Sequence, residues 1–140
     1  MLIGMNLFAQ PNSIDIIEKF IDDVKDNQVS DLDLIKKHFV FQKIETDSDI
    51  ENIVSPILTP KLAFIRQKLN KDCSELIIMK HDEYSDMIKS FKLKSENFAN
   101  VYYIICDSTI IAPILVKGSK ILSISAYSKS EGGTKSFVLF

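Results

Sequence analysis

The sequence predicts an α+β domain, with N-terminal helices packed on one face of a curved antiparallel sheet formed mainly by residues 74-80 and 100-140. Three observations carry that reading. Up to Leu69 the apolar residues recur at helical spacing, and from Ser74 short β-rich runs replace them. In the last third, turn-forming residues separate strands that follow one another without helices. Helices first and strands last indicate helices laid over one sheet rather than alternating βα units.

The elements follow in order. Ser13 is placed to cap a helix reaching Asp26, with Ile14, Ile17, Phe20, Ile21 and Val24 on its inner face. Ser30 caps a second helix bearing Leu32, Ile35 and Phe39. Ser48-Asp49-Ile50-Glu51 reads as a capping box, followed by a helix with Ile50, Ile53, Val54 and Ile57 inward that Pro56 interrupts or shortens. Thr59-Pro60 is a second start signal, and Leu62, Ile65 and Leu69 define the buried stripe after it. Leu76-Ile77-Ile78-Met79 is a strand with both faces partly covered. Asp82 caps a further helix containing Tyr84, Met87, Ile88 and Phe91, with Lys89, Lys92 and Lys94 toward its end. Val101 to Cys106 and Thr109 to Val116 form a hairpin about the Asp107-Ser108 turn, and Pro113 marks an edge or a bulge. Lys117-Gly118-Ser119 turns the chain into a strand from Ile121 to Tyr127, and Phe137 to Phe140 closes the sheet.

At 140 residues the chain fits one domain, burying roughly two-thirds of its unfolded surface. Lys plus Arg total 17 and Asp plus Glu 19, a net charge of -2, so no basic footprint points to nucleic acid or an anionic membrane. Tyr102-Tyr103 with Lys117, Lys120, Lys129 and Lys135 would need a basic surplus and a Gly-Phe motif to read as a nucleic-acid platform. Packing aromatics with a solvated rim fit better. No apolar run is long enough to span a bilayer.

Met1 to Ala9 contain one polar residue, Asn6, and end in Phe8-Ala9-Gln10 before Pro11. The stretch resembles the tail of a secretory signal of the Bacteroidetes type, which implies residues 1-10 as a truncated signal-peptide remnant and 11-140 as the domain. Export to the periplasm, cell surface or medium is the expectation. The alternative is a cytoplasmic protein whose N-terminus packs on the fold. Cys73 precedes one predicted strand and Cys106 closes another, so antiparallel pairing would bring them within bonding reach. Two buried thiols are the alternative.

The element order from residue 13 to 140 resembles the nuclear-transport-factor-two-like fold, in which helices close the concave side of a curved sheet, and a cystatin-like arrangement fits nearly as well. Such cones host isomerases, hydrolases and inert binding domains alike, so the resemblance assigns no activity.

Candidate chemistry centres on His81-Asp82-Glu83-Tyr84, where a strand gives way to a helix and a carboxylate adjoins an imidazole. His81, Asp82 and Tyr84 are the candidate acid-base residues, with capping and surface roles as the plainer account. His38, beside Lys36 and Lys37, reads as solvated. Tyr102 and Tyr127 are candidate binding aromatics. Two histidines and two cysteines show no metal-ligand spacing, and Gly132-Gly133 precedes a strand rather than a helix, so no metal or cofactor is expected. The strongest reading is non-catalytic binding of a small molecule, peptide or protein through the sheet face or a cone mouth. A small acid-base enzyme and a cytosolic inhibitor or immunity-type protein using a strand edge are the alternatives. The terminal strand ending at Phe140 offers an edge for a homodimer.

Overall fold

The computed structural model describes residues 12–81, 91–94, 98–128 and 133–140. The stretch expected to be a signal-peptide remnant, Asp82 and Tyr84 lie outside these residues, as does most of the helix expected after His81. The chain opens with α1 (Ser13–Lys25) and α2 (Asp31–His38). A helical turn at Asp47–Asp49 and a π-helical segment at Ile50–Val54 then lead without a break into α3 (Ser55–Lys71). A 3-10 turn at Phe98–Asn100 and strands β1 (Leu76–Lys80), β2 (Leu93–Lys94), β3 (Val101–Cys106), β4 (Thr109–Lys117), β5 (Lys120–Ser123), β6 (Ala126–Tyr127) and β7 (Lys135–Phe137) complete the described elements. This is the α+β architecture predicted, helices before sheet.

The caps differ in detail from expectation. Asn12, not Ser13, caps α1, its side-chain oxygen accepting from the amides of Ile14 (2.8 Å) and Asp15 (3.1 Å). Ser30 caps α2 as predicted, through the Asp33 amide. Thr46 rather than Ser48 starts the third helical run. Pro56 does not end that run, because the turn before it widens: the Ser55 amide reaches back five residues to the Ile50 carbonyl. Thr59-Pro60 is therefore no second start, and Pro60 lies inside α3. The wider turn also rotates the buried stripe to Val54, Leu58, Leu62, Ile65 and Leu69. Ile53 and Ile57, expected inside, are left half exposed. In α2 the inner face is Leu34, Ile35 and His38 instead of Leu32. Arg66 of α3 ties the helices together, donating from Nε to the Val24 carbonyl (2.8 Å) and from Nη1 to Asp31 (3.2 Å).

The sheet expected to be single is divided in two. One sheet has four antiparallel strands in the order β1-β3-β4-β5, and the other has three in the order β2-β7-β6. Strand β2 runs parallel to β7, where Lys94 had been placed at a helix end; Lys92, in the left-handed region at φ 57°, marks the change. The expected strand from Ile121 to Tyr127 breaks between β5 and β6. There Ser123 turns inward, donating to the carbonyl of Val138 (2.7 Å), and the chain passes from one sheet to the other. Asp107 and Ser108 both have positive φ, 50° and 67°, which closes the β3–β4 hairpin tightly. Pro113 is tolerated for the predicted reason. The register shifts just before it, leaving Ile111 as an extra residue, and β5 pairs only with Leu115 to Lys117 farther along.

Every residue of β3 is buried. Tyr102, Ile104 and Cys106 point into the main core with the helices, while Val101, Tyr103 and Ile105 form a second cluster with Met79, Phe91, Leu93, Phe98 and Phe137. Along β3 neither sheet face is open to a ligand.

Candidate functional site

The two edges of the four-stranded sheet differ. At the β5 edge Phe39 bridges to Ile121, and the Val40 amide donates to the Ile121 carbonyl at 2.9 Å. At the other edge lies β1. The His81 amide donates to the Val101 carbonyl and the Asp107 amide to the Glu75 carbonyl, both at 3.0 Å. Strict alternation along β1 therefore aims the backbone amides and carbonyls of Leu76, Ile78 and Lys80 away from β3. Among the described residues no strand pairs with that outer edge.

Beside the edge runs a cleft of about 380 Å³ between α1 and β1. Ile14 and Ile21 form its apolar wall, Leu76 and Ile78 its floor, and Glu18 and Asp22 its acidic rim. The placement follows from local structure. Residues 14, 18, 21 and 22 recur at helical spacing on one side of α1, and Leu76 and Ile78 are two apart on one face of the strand. Leu76 and Ile77 are 41% and 38% exposed, high for aliphatic side chains in a sheet. The chain thus offers unpaired backbone, apolar surface and negative charge side by side. Sequence reasoning found the strand but not the cleft, because nothing in the apolar run Leu76 to Met79 distinguishes an edge from a centre.

The corner below this edge is fastened covalently. Cys73 and Cys106 form a disulfide with Cα atoms 5.2 Å apart, the pairing that antiparallel β1 and β3 make available. The Asp107 carboxylate accepts from the amides of Ser74 (3.0 Å) and Glu75 (2.8 Å), so its charge serves the backbone of this corner. Disulfides persist mainly in oxidising environments. Among the described residues no helix is long and apolar enough to cross a membrane.

The residues expected to carry chemistry are placed as follows. His81 is half-buried, its Nδ1 hydrogen-bonded to the hydroxyl of the fully buried Tyr103 at 2.8 Å and its ring stacked on Phe98 with centroids 3.9 Å apart. Tyr102, expected to face a ligand, is 6% exposed and sits in the main core. Tyr127 is 53% exposed but belongs to the other sheet, so the two aromatics do not share a surface. His38, read as solvated, is buried against Phe20, its Nε2 2.7 Å from the Asp23 carboxylate. Burial holds the His38 imidazole below its ordinary value, with Asp23 opposing the shift. The strand end invoked for a homodimer has its partners within the chain: β7 is the central strand of its sheet, and the Phe140 carbonyl accepts from the amides of Gln42 and Lys43.

Fold and site together define an α+β architecture in which a strand edge, unpaired among the described residues, is fastened at one end by a disulfide. No family model matches the chain, and no curated protein or solved structure is detectably similar to it.

Proposed function

We propose that this protein is a non-catalytic binding domain of an oxidising, extracytoplasmic compartment, and that it captures an extended segment of a partner protein along β1. The observation that carries the reading is the outer edge of β1, with its outward-facing backbone groups beside the α1 cleft. An added strand would gain main-chain hydrogen bonds to Leu76, Ile78 and Lys80, while alternate side chains of that strand enter the cleft. Glu18 and Asp22 at the rim favour a segment that carries lysine or arginine next to its apolar residues. The disulfide and the signal-like N-terminus support export. The likeness in element order to nuclear-transport-factor-two-like and cystatin-like domains is compatible with a binding role and adds no chemistry to it.

The test uses a short capped peptide alternating lysine and valine, titrated into the labelled protein and followed by backbone amide NMR. Saturable shifts should cluster at Leu76, Ile78 and Lys80 and on the Glu18 side of α1. A Glu18→Lys/Asp22→Lys variant should weaken binding roughly tenfold, two unlike-charge contacts having become like-charge ones. Shifts centred elsewhere, or none, would overturn the assignment.

A further inference from the structure

Away from the β1 edge, a smaller pocket of about 190 Å³ opens where α1, the end of α2 and the β4–β5 turn meet. Its walls are Ile16 and Lys19 from α1, Lys37 and His38 from α2, Ser119 from the turn and Lys120 from the start of β5. The Asp23 carboxylate is shared: Lys37 Nζ lies 2.8 Å and His38 Nε2 2.7 Å from the same oxygen. Lys120 Nζ donates to the Lys37 carbonyl, where a cation complements the end of α2. Among the described residues no ion pair engages Lys19. Three elements thus set three lysines around one small hollow, Lys37 also held by Asp23 and Lys120 by a carbonyl, in a chain whose net charge is -2. All three lysines are exposed, so their mutual repulsion is screened by solvent, and an anion seated among them would meet three positive charges.

We infer that this pocket binds a small tetrahedral oxyanion, phosphate or sulfate, held by the ammonium groups of Lys19, Lys37 and Lys120, with the Ser119 hydroxyl donating. The size agrees, because drug-sized ligands need roughly 300 Å³ or more. Lysine provides compact point charges suited to an oxyanion. His38 forms the inner wall, facing Asp23 and Lys19 from α1, Lys37 from its own helix and Lys120 from β5. An anion beside it favours the imidazolium, so occupancy reads out at His38.

Inorganic phosphate titrated at constant ionic strength, balanced with sodium chloride, tests the inference. The side-chain resonances of His38 should shift saturably and its titration should move to higher pH, while His81 serves as the internal control. Lys19→Gln and Lys120→Gln should each weaken phosphate binding roughly three- to tenfold, as for a charge-assisted contact at a partly exposed site. Sulfate should compete. O-phosphoserine run in parallel identifies the source: tighter binding than phosphate assigns the pocket to a phosphorylated side chain, and equal or weaker binding to the free ion. A drift without saturation that His81 shares, or a Lys19→Gln variant that binds phosphate unchanged, would overturn the inference.

Discussion

Breaking the Cys73–Cys106 bond should lower stability by an amount set by the loop it closes. The two cysteines are 33 residues apart. In the chain-entropy treatment a loop of that length restricts the unfolded state by about 3.7 kcal/mol at 25 °C. A 140-residue domain has an unfolding entropy of about 0.29 kcal/mol/K near its midpoint. Reduction, or the Cys73→Ala/Cys106→Ala double variant, should therefore lower the thermal midpoint by about 13 °C. Circular dichroism melts with and without reductant give the global effect, and a thiol titration of the untreated protein gives the bonding state. Hydrogen exchange adds a local readout. Among the described residues β1 is paired on one side only, so the Ile77 and Met79 amides, which face β3, should lose protection before those at the β3–β4 pairing. Two free thiols in untreated protein, or a midpoint indifferent to reductant, would refute the reasoning and remove the structural support for an oxidising compartment.

Two further outcomes follow from buried polar groups. Tyr103→Phe keeps the packing of a fully buried ring but removes the hydroxyl bonded to His81, and should cost about 1 kcal/mol in urea unfolding. An unchanged midpoint would mean that the bond adds nothing. The Asp23–His38 pair should make the protein acid-sensitive in two stages. His38 is held below its ordinary 6.5 by burial, so the unfolded chain takes up a proton that the folded one refuses. Stability should fall as pH drops below 6.5 and level off once the folded imidazole is charged. Asp23 is held below its ordinary 3.8 by its hydrogen bonds to Lys37 and His38, which adds a further loss as pH falls below 3.8. Urea midpoints across pH for the wild type and His38→Gln should separate the stages, the variant lacking the upper one. Stability rising in acid would contradict both assignments.

What was legible in the sequence was periodicity. The inner faces of α1 and of the second half of α3, the hairpin about Asp107-Ser108 and the tolerance of Pro113 follow from local spacing and turn chemistry, and the meeting of Cys73 with Cys106 from reading the two strands they flank as an antiparallel pair. Local spacing failed wherever a long-range contact decided the outcome. The Pro56 break was avoided by a π turn, which displaced Ile53 and Ile57 from the core. The single last strand split because Ser123 found carbonyl partners inside the fold, the nearest on Val138. His38 looked solvated between charged neighbours, but its partner Asp23 lies on a different helix. The site suffered most. An edge strand is defined by what fails to pair with it, and the cleft beside it joins residues about sixty positions apart in the chain.

Asp107 has a consequence for the edge it anchors. Its left-handed backbone makes the hairpin tip, its amide donates to the Glu75 carbonyl, and its carboxylate holds the Ser74 and Glu75 amides just before β1. Glycine would serve the first role and asparagine would weaken the last, so neither replaces it. Because strand faces alternate, sliding β1 by one residue would turn Leu76 and Ile78 away from the α1 wall and present Ile77 and Met79 in their place. Asp107 is the index pin against that slip: it decides which side chains line the groove, although it touches none of them.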